Sequence, residues 1–309
     1  MVTDIHKNTN NNYDLVIIGN YTKDTIVSNE GTRKLDGSGF LYSSYAAAIT
    51  GAKIAGLTRL AKEDAHIIDE LKQIGVDVLP TFTPQSTLMK VVYPTSNVDE
   101  RTVSIEQDAG SYDSNQVHQI GGLNAKIFLI NAMMRGEVGI DIIREIKKKN
   151  ALVALDVQGF MRVVTGDGSL RNDTWIDNGS VLSQIDIIKT DAVEAEILTG
   201  ERDIRKAAAR ISESGPKEVV LTHRNGLLVY AFGKYYEAEF FPKKLTGRTG
   251  RGDTCIGSYV AKRLSSPPKE AMIWAAAATS LKMETEGPIC RTAREIGELV
   301  DKKYAASVD

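Results

Sequence analysis

Cysteine is scarce in this chain, because its 309 residues include only Cys255 and Cys290. Two thiols can form a single disulfide, and a chain of this length does not need one in order to fold. Their separation matches no spacing of zinc ligands. We therefore predict two reduced thiols and a cytoplasmic protein, with Cys255 as a small buried side chain.

Long hydrophobic runs are absent as well. No stretch approaches the roughly 20 apolar residues that a membrane-spanning helix needs. The segment 1–12 is polar and rich in asparagine, so it lacks the apolar core of a signal peptide, and we predict a disordered tail. A membrane is not an expected partner.

An excess of charge of one sign is also missing. The chain has 38 Lys and Arg residues against 40 Asp and Glu residues, which gives a net charge of −2. Because no basic tract with interleaved aromatic residues occurs, nucleic acid is not an expected partner. What remains is an ordinary composition, 42% hydrophobic and 25% charged, which is typical of a globular protein with a sizeable core.

Short apolar runs alternate with segments of helical periodicity along most of the chain. The predicted strands are 15–18, 54–57, 76–79, 126–130, 151–156, 185–189 and 218–222. The predicted helices are 42–49, 64–74, 138–149, 192–198, 204–212, 252–264, 269–283 and 292–304. This alternation predicts a three-layer αβα sandwich around a mostly parallel sheet, whose ligands bind at the carboxyl ends of the strands.

Two segments interrupt the alternation, at about 21–38 and 86–106. Both alternate apolar and polar residues at period two, which predicts antiparallel strands with one wet face. We expect them to form a small β lid over the mouth of the main sheet, inserted into a single domain that covers 1–309. Because exposed strand edges can pair with a copy of themselves, a homodimer through the lid is expected.

The loop 249–254 carries the strongest chemical signal. Gly250 and Gly252 flank Arg251, and Asp253 follows at the start of a predicted helix. Backbone amides at a helix N-terminus attract an anion, and a carboxylate beside them can accept the proton of a hydroxyl that attacks a phosphoryl group. Taken alone, the loop also fits an ordinary helix cap with a glycine turn.

Together with motifs elsewhere, this loop resembles that of the ribokinase-like, or PfkB-type, family of carbohydrate and nucleoside kinases, and the resemblance covers about 13–292. It implies a ribokinase-like fold and transfer of a phosphoryl group from ATP, with Mg²⁺, to a hydroxyl of a sugar, cyclitol or nucleoside. Asp253 matches the general base of the family. Gly250, Arg251 and Gly252 match its anion hole.

The resemblance also implies substrate contacts in the first half of the chain. Asp24 matches an acidic residue that holds substrate hydroxyls, and the glycine-rich segment with Gly37 and Ser38 precedes a helix that carries Tyr42. The segment 156–162 resembles a strand-end motif that ends in an arginine, here Arg162. An ordinary surface salt bridge is the alternative for Arg162.

Nucleotide and metal contacts are implied further along the chain. Asp191 and Glu194 resemble the N-x-x-E motif, in which the glutamate orders Mg²⁺ through water; a capping box is the alternative. A strand and turn from Thr222 to Gly226 match the segment beside the nucleotide. Thr249, at the start of the anion-hole loop, is also predicted to contact it.

Several positions depart from the family pattern. Ser38 stands where a second glycine is common, and Tyr42 stands where an asparagine usually contacts sugar hydroxyls, which favours a cyclitol or an unusual sugar over ribose. Asp191 replaces an asparagine, and Arg251 replaces a small residue. Gly247 stands where many relatives have an aspartate that helps to bind a monovalent cation, so potassium activation is not implied.

Two other classes of function remain open. The chain can be a sugar- or nucleotide-binding protein that has kept a kinase scaffold without catalysis, although the retained Asp253 and both loop glycines argue against it. A dinucleotide-dependent oxidoreductase needs a G-x-G-x-x-G fingerprint after its first strand. Here that strand is followed by Gly19-Asn20-Tyr21, so this class is disfavoured.

Overall fold

The apolar runs of the sequence form the strands of the computed structural model, which describes residues 12–95, 101–176, 178–247 and 249–304. The predicted tail lies outside the described residues except for Asn12, which begins the first strand. The strands are β1 (Asn12–Ile18), β2 (Thr22–Ser28), β3 (Gly31–Gly37), β4 (Ile54–Ala61), β5 (Val76–Thr83), β6 (Thr87–Val92), β7 (Thr102–Gln107), β8 (Asn124–Ile130), β9 (Leu152–Asp156), β10 (Arg162–Val164), β11 (Leu170–Asn172), β12 (Ile187–Asp191), β13 (Glu218–Thr222), β14 (Gly226–Ala231) and β15 (Lys234–Glu239).

The helices occupy most of the connections between these strands. They are α1 (Gly39–Ala48), α2 (His66–Gln73), α3 (Ser114–Gly121), α4 (Ile140–Lys147), α5 (Gln158–Met161), α6 (Gly179–Leu182), α7 (Ala192–Thr199), α8 (Ile204–Glu213), α9 (Arg251–Arg263), α10 (Pro268–Lys282) and α11 (Ala293–Lys303), with a 3₁₀ turn at Lys62–Asp64. None of the helices among the described residues combines the length and the apolar character that crossing a membrane requires.

The main sheet has nine strands in the order β15-β14-β13-β12-β9-β8-β1-β4-β5. Its strands pair in parallel from β5 to β13, and β14 and β15 extend one edge in antiparallel fashion. Strands of a parallel sheet that is covered on both faces have nearly continuous apolar sequences. Strand β13 is an example of such burial, because all five of its residues are buried.

Alternate residues of each strand enter opposite layers of the core. Leu15 and Ile17 of β1 belong to a cluster that includes residues of α1, α9 and α10. Val16 and Ile18 belong to the cluster on the other face, which includes residues of α4 and α8. Since successive side chains of a strand point to opposite faces, one central sheet separates two helical layers, and the predicted αβα fold is confirmed.

A smaller sheet of four strands, in the order β3-β2-β6-β7, occupies the segments predicted as the lid. Its outer pairs, β2 with β3 and β6 with β7, are antiparallel, whereas β2 and β6 pair in parallel. Thr22, Asp24 and Ile26 of β2 alternate with more exposed residues. One face of the small sheet is therefore buried, and it carries a carboxylate.

Candidate active site

A cavity of about 210 Å³ lies between the small sheet, the carboxyl ends of β9, β12 and β13, and the N-terminus of α9. Ligands of open α/β sheets bind at this edge. Most of the predicted site residues line it, namely Asp24, Ser38, Tyr42, Arg162, Asp191, Thr222, Thr249, Gly250, Arg251, Gly252 and Asp253. The chain thus brings together residues that are more than 200 positions apart in sequence.

Three predicted site residues, Gly37, Gly226 and Glu194, do not line this cavity. A Cβ on Gly37 would lie 2.4 Å from a carboxylate oxygen of Asp24. A Cβ on Gly226 would lie 2.3 Å from the carbonyl oxygen of Ala238 on β15. Glu194 is fully buried beneath the cavity floor. Contact of these three residues with a ligand stays a prediction.

The N-terminus of α9 forms the part of the cavity that suits an anion. Gly250 is the N-cap, has a left-handed φ of 74° and gives the helix no side-chain cap. The first amides of a helix have no partner within it, so the amides of Gly252 and Asp253 can face a ligand, and the helix dipole adds positive potential there. This geometry suits an anion, and the binding of an anion at these amides stays a prediction.

Other side chains approach the backbone closely at both loop glycines. A Cβ on Gly250 would lie 2.2 Å from the ring of Tyr42. A Cβ on Gly252 would lie 2.7 Å from Nζ of Lys189. The Tyr42 ring and the Lys189 ammonium therefore pack directly against the anion site.

A chain of hydrogen bonds orients the carboxylate of Asp253 in the first turn of α9. Nε2 of Gln158 donates to Oδ1 of Asp253 at 3.1 Å and to Oδ1 of Asn131 at 3.1 Å. Nδ2 of Asn131 donates to Oγ of Ser43 at 2.7 Å, and this hydroxyl donates to the Asp253 carbonyl at 2.9 Å. The amide donor at Oδ1 fixes the carboxylate and leaves Oδ2 for a substrate hydroxyl.

A buried charge network supports the floor of the site. Nζ of Lys189 lies 3.0 Å from Oδ2 of Asp156 and 3.9 Å from Oε2 of Glu194. The guanidinium of Arg162 lies 3.7 Å from Oε1 of Glu194. Sequence reasoning missed Lys189, which lies in the middle of β12 between Ile188 and Thr190, because a single lysine forms no pattern that marks it as part of a site.

The pKa values of the residues in this network are shifted by their burial and by the charges of their neighbours. Burial raises the pKa of Asp156 and of Glu194 above the usual carboxyl values, against the opposing charge of Lys189. Burial alone would lower the pKa of Lys189, but the charges of Asp156 and Glu194 outweigh it and raise that pKa. The ammonium therefore stays charged and presents a fixed cation to the cavity beside Gly252.

Asp24 occupies the lid side of the cavity and is only 2% exposed. Burial raises the pKa of its carboxyl to about 6, a hydrogen bond from Thr22 opposes the rise, and the charge of Asp253 adds to it. Oγ1 of Thr22 donates to Oδ1 of Asp24 at 2.9 Å. Asp24 can therefore accept hydroxyls of a ligand that lies between it and Asp253.

The small sheet also reaches the anion-hole loop from above. The Tyr93 hydroxyl lies 3.5 Å from Oγ1 of Thr249, and the Arg101 guanidinium donates to the same atom at 3.4 Å. Arg101 itself lines the cavity. The lid thus contributes a cation, Arg101, as well as the carboxylate of Asp24.

The residues predicted to order Mg²⁺ form a capping box at the start of α7. The Glu194 amide donates to Oδ1 of Asp191 at 2.8 Å, and the Asp191 amide donates to Oε2 of Glu194 at 2.8 Å. No cluster of three or more metal-ligating side chains occurs within the described ranges. Mg²⁺ needs few protein ligands because it keeps several waters. Asp191 lines the cavity and fits such a water-mediated ion, whereas Glu194 is fully buried behind it, with Oε1 3.7 Å from the Arg162 guanidinium.

Comparison with known proteins gives a match to the pfkB family carbohydrate kinases over residues 43–293. A cytidine kinase of Thermococcus kodakarensis is 25% identical over 270 residues, which cover 84% of this chain and 92% of that protein.

Similar solved structures cover nearly the whole chain. A pyrophosphate-dependent kinase of the ribokinase family, solved with sulfate, is 30% identical with a TM-score of 0.83, and the match covers 92% of this chain and 99% of that one. A pyrophosphate-dependent kinase of that family complexed with a pyrophosphate analog and myo-inositol is 29% identical with a TM-score of 0.82 over the same shares. Ribokinase of Arabidopsis thaliana, complexed with ribose and ATP, shares the fold at 21% identity and a TM-score of 0.74, over 93% of this chain and 98% of that one.

Proposed function

Because the chain belongs to the pfkB family of carbohydrate kinases, we propose that it transfers a phosphoryl group to a hydroxyl of a small polyhydroxylated acceptor, with Asp253 as the general base. One observation carries the proposal. The Asp253 carboxylate lies at the uncapped N-terminus of α9, within a cavity that also contains Asp24 and Lys189.

In the proposed reaction, the acceptor hydroxyl lies between Asp24 and Asp253. Its oxygen attacks the terminal phosphorus of the donor as its proton passes to Oδ2 of Asp253, and the bond from phosphorus to the leaving oxygen breaks. The amides of Gly252 and Asp253 bind the charge on the transferred group. Lys189 balances the negative charge of the donor from the cavity floor.

Mg²⁺, when bound, would neutralise the phosphates of the donor and hold their oxygens in place. Asp191 lines the cavity and would hold the ion through its waters, with Glu194 directly behind it. Arg162, whose guanidinium lies between Glu194 and the cavity, would orient the donor.

A cyclitol such as an inositol is the acceptor that we propose to test first. Ser38 and Tyr42 depart from the pattern associated with ribose, and one relative at 29% identity was solved with myo-inositol. The cavity also combines hydroxyl-binding carboxylates with the apolar side chains of Met89, Val91 and Val103. Polar groups around the rim and an apolar face suit a flat, polyhydroxylated ring.

ATP is the donor that the family resemblance implies, and pyrophosphate is the second candidate. The cavity is lined by four cationic side chains, those of Arg101, Arg162, Lys189 and Arg251. A compact donor without a base depends on charge alone for its binding, and the relatives at 30% and 29% identity are pyrophosphate-dependent.

A donor-by-acceptor screen tests the proposal. ATP and pyrophosphate are each supplied with Mg²⁺ and with a panel of inositols, pentoses, hexoses and nucleosides, and phosphorylated product is measured directly. We expect turnover with a cyclitol, which a ribose-specific or nucleoside-specific enzyme would not give. Thermal stabilisation by these ligands without product from any pair would indicate a non-catalytic binding protein instead.

The protonation of Asp24 gives a prediction for pH dependence. Because burial raises its pKa to about 6, the carboxylate becomes neutral as the pH falls through 6. Hydrogen bonds to a charged group are stronger than those to a neutral one by about 1 kcal/mol, so the KM for the acceptor is expected to rise roughly fivefold between pH 7.5 and pH 5.

Steady-state kinetics across that pH range, with Asp24→Asn as the comparison, measure this effect. The variant should have a high KM at every pH, because its side chain carries no charge to lose. A wild-type KM that stays constant down to pH 5 would remove Asp24 from acceptor binding.

We also propose that two copies pair through the lid. Strand β3 lies at the edge of the small sheet, and of its seven residues, Gly-Thr-Arg-Lys-Leu-Asp-Gly, three are exposed and three are half-buried. An edge strand offers unpaired backbone groups to a second strand. Light scattering on the purified protein distinguishes a dimer from a monomer.

A further inference from the structure

A lysine outside the predicted site is buried beneath the anion-hole loop. Lys282 is the last residue of α10 and is only 1% exposed. Its ammonium donates to the Thr285 carbonyl at 3.1 Å and lies 5.4 Å from the centre of the Tyr42 ring.

Burying this charge costs free energy that an apolar side chain of the same volume would not cost. One carbonyl, the π face of Tyr42 and the C-terminal end of α10 offset only part of that cost. Burial lowers the pKa of Lys282 to about 8, against the opposing charges of Glu286 and Asp253, so the side chain is still mainly a cation at neutral pH. A buried charge that lowers the stability of the fold indicates that Lys282 has a role in function.

The surroundings of Lys282 connect it to the anion site in two ways. First, Tyr42, whose ring lies next to the ammonium, lines the active-site cavity and contacts Gly250, the N-cap of α9. Second, the turn after Lys282 holds the irregular segment that leads from β15 into the loop. The Met283 carbonyl accepts from the Thr246 amide at 2.9 Å, and the Glu284 carbonyl accepts from the Thr246 hydroxyl at 2.9 Å.

We propose that Lys282 is a built-in monovalent cation, a positioning residue that holds Tyr42 and the turn 283–285 against the anion-hole loop and adds positive potential beneath the bound phosphoryl group. The inference rests on the proposed phosphoryl transfer, because it concerns the same anion. Lys282 acts through Tyr42 and the loop backbone and does not need to contact the substrate.

Two substitutions separate the charge from the volume of this side chain. Lys282→Ala removes both and leaves a space that a small cation can enter. Lys282→Met removes the charge and fills the space. Lys262→Ala is the matched control, because Lys262 is a lysine in the last turn of α9 whose ammonium lies 4.9 Å from the centre of the Trp274 ring, away from the cavity.

We expect kcat to fall about 10-fold to 100-fold in both Lys282 variants, less than the loss of a direct oxyanion donor, with little change in the KM of the acceptor. Ammonium, methylammonium or potassium should restore turnover to Lys282→Ala and not to Lys282→Met. Lys262→Ala and the wild type should not respond to these ions.

The same proteins are titrated with inorganic pyrophosphate while their melting temperatures are recorded, which gives a readout without turnover. The pyrophosphate-induced stabilisation should be smaller in Lys282→Met than in the wild type. If the wild type turns over no acceptor, the proposed function fails, and this titration still tests the role of the charge.

The inference is overturned if Lys282→Met keeps wild-type kcat and wild-type stabilisation by pyrophosphate. It is equally overturned if Lys282→Ala loses turnover and melts at a lower temperature, and no small cation restores it. In that case Lys282 only packs the end of α10.

Discussion

Turnover of Asp253→Asn is expected to fall by about 10²- to 10⁴-fold, the range that general-base catalysis typically contributes. Asparagine has the shape of aspartate, and its side-chain oxygen still accepts the hydrogen bond that Gln158 donates at 3.1 Å in the wild type. The variant therefore keeps its place in the network and loses only the ability to take a proton. Single-turnover kinetics with the acceptor found in the screen measure the loss.

Fold and ligand binding should survive this change. Melting temperature with and without donor reports both properties, and the stabilisation by donor should persist. Asp203→Asn is the matched control, because Asp203 is an exposed acid at the N-cap of α8, where it accepts from the Arg205 amide at 2.9 Å. Asparagine caps a helix about as well as aspartate, so this control should keep full turnover. Turnover of Asp253→Asn within tenfold of the wild type would remove Asp253 as the base.

The layered architecture followed from local sequence because each strand and helix carries its own periodic signal. The predicted strand 126–130 is part of β8, and the predicted helix 252–264 is α9 displaced by one residue. The hairpin of β14 and β15 and the helix α3 were not predicted. In β15 most side chains are exposed, and in α3 only Gln116 and Ile120 are buried, so the apolar pattern on which prediction depends is weak in these two elements. Strand β14 is a buried apolar run, and its signal was overlooked.

The antiparallel pairing predicted for the lid holds for β2 with β3 and for β6 with β7, but not for β2 with β6. Period-two alternation predicts strands with a buried face, and β2 and β6 show it. It does not specify the direction of pairing, and these two strands are parallel, with Thr22 opposite Thr87. Direction depends on how the intervening chain, which includes α1, β4 and β5, crosses the main sheet.

The residues of the candidate site also fall into two groups, those that are contiguous in sequence and those that come from distant positions. The loop 249–254 is contiguous, so its glycines and Asp253 stand out in the sequence, and the resemblance to the ribokinase-like family implies their roles. The groups that orient Asp253 come from distant positions, since Gln158 lies 95 residues away and the contact between Asn131 and Ser43 spans 88 residues. Lys189 and Lys282 escaped notice because a single lysine has no pattern, and only the tertiary structure reveals that each is buried beside the anion site.

Gly250→Ala is expected to abolish most activity, because it affects the anion site in two ways at once. The residue has a φ of 74°, a conformation that costs a residue with a Cβ about 1–2 kcal/mol. The new methyl group would also lie 2.2 Å from the Tyr42 ring, so the ring or the loop has to move. Displaced amides no longer face the transferred phosphoryl group, and losing one such donor costs about 100-fold or more in kcat.

Two alanine substitutions at other glycines separate these causes. Gly233 has a similar φ of 80°, and a Cβ added to it would meet no atom within 4 Å, so Gly233→Ala carries the backbone strain without the clash. Gly247 lies in the approach to the same loop, again with no atom within 4 Å of an added Cβ, so Gly247→Ala carries neither. Both controls should keep near-wild-type kcat, with a lower melting temperature only for Gly233→Ala. If Gly250→Ala loses stability as Gly233→Ala does but keeps its kcat, the amides at the start of α9 do not bind the transferred group, and the anion site must lie elsewhere in the cavity.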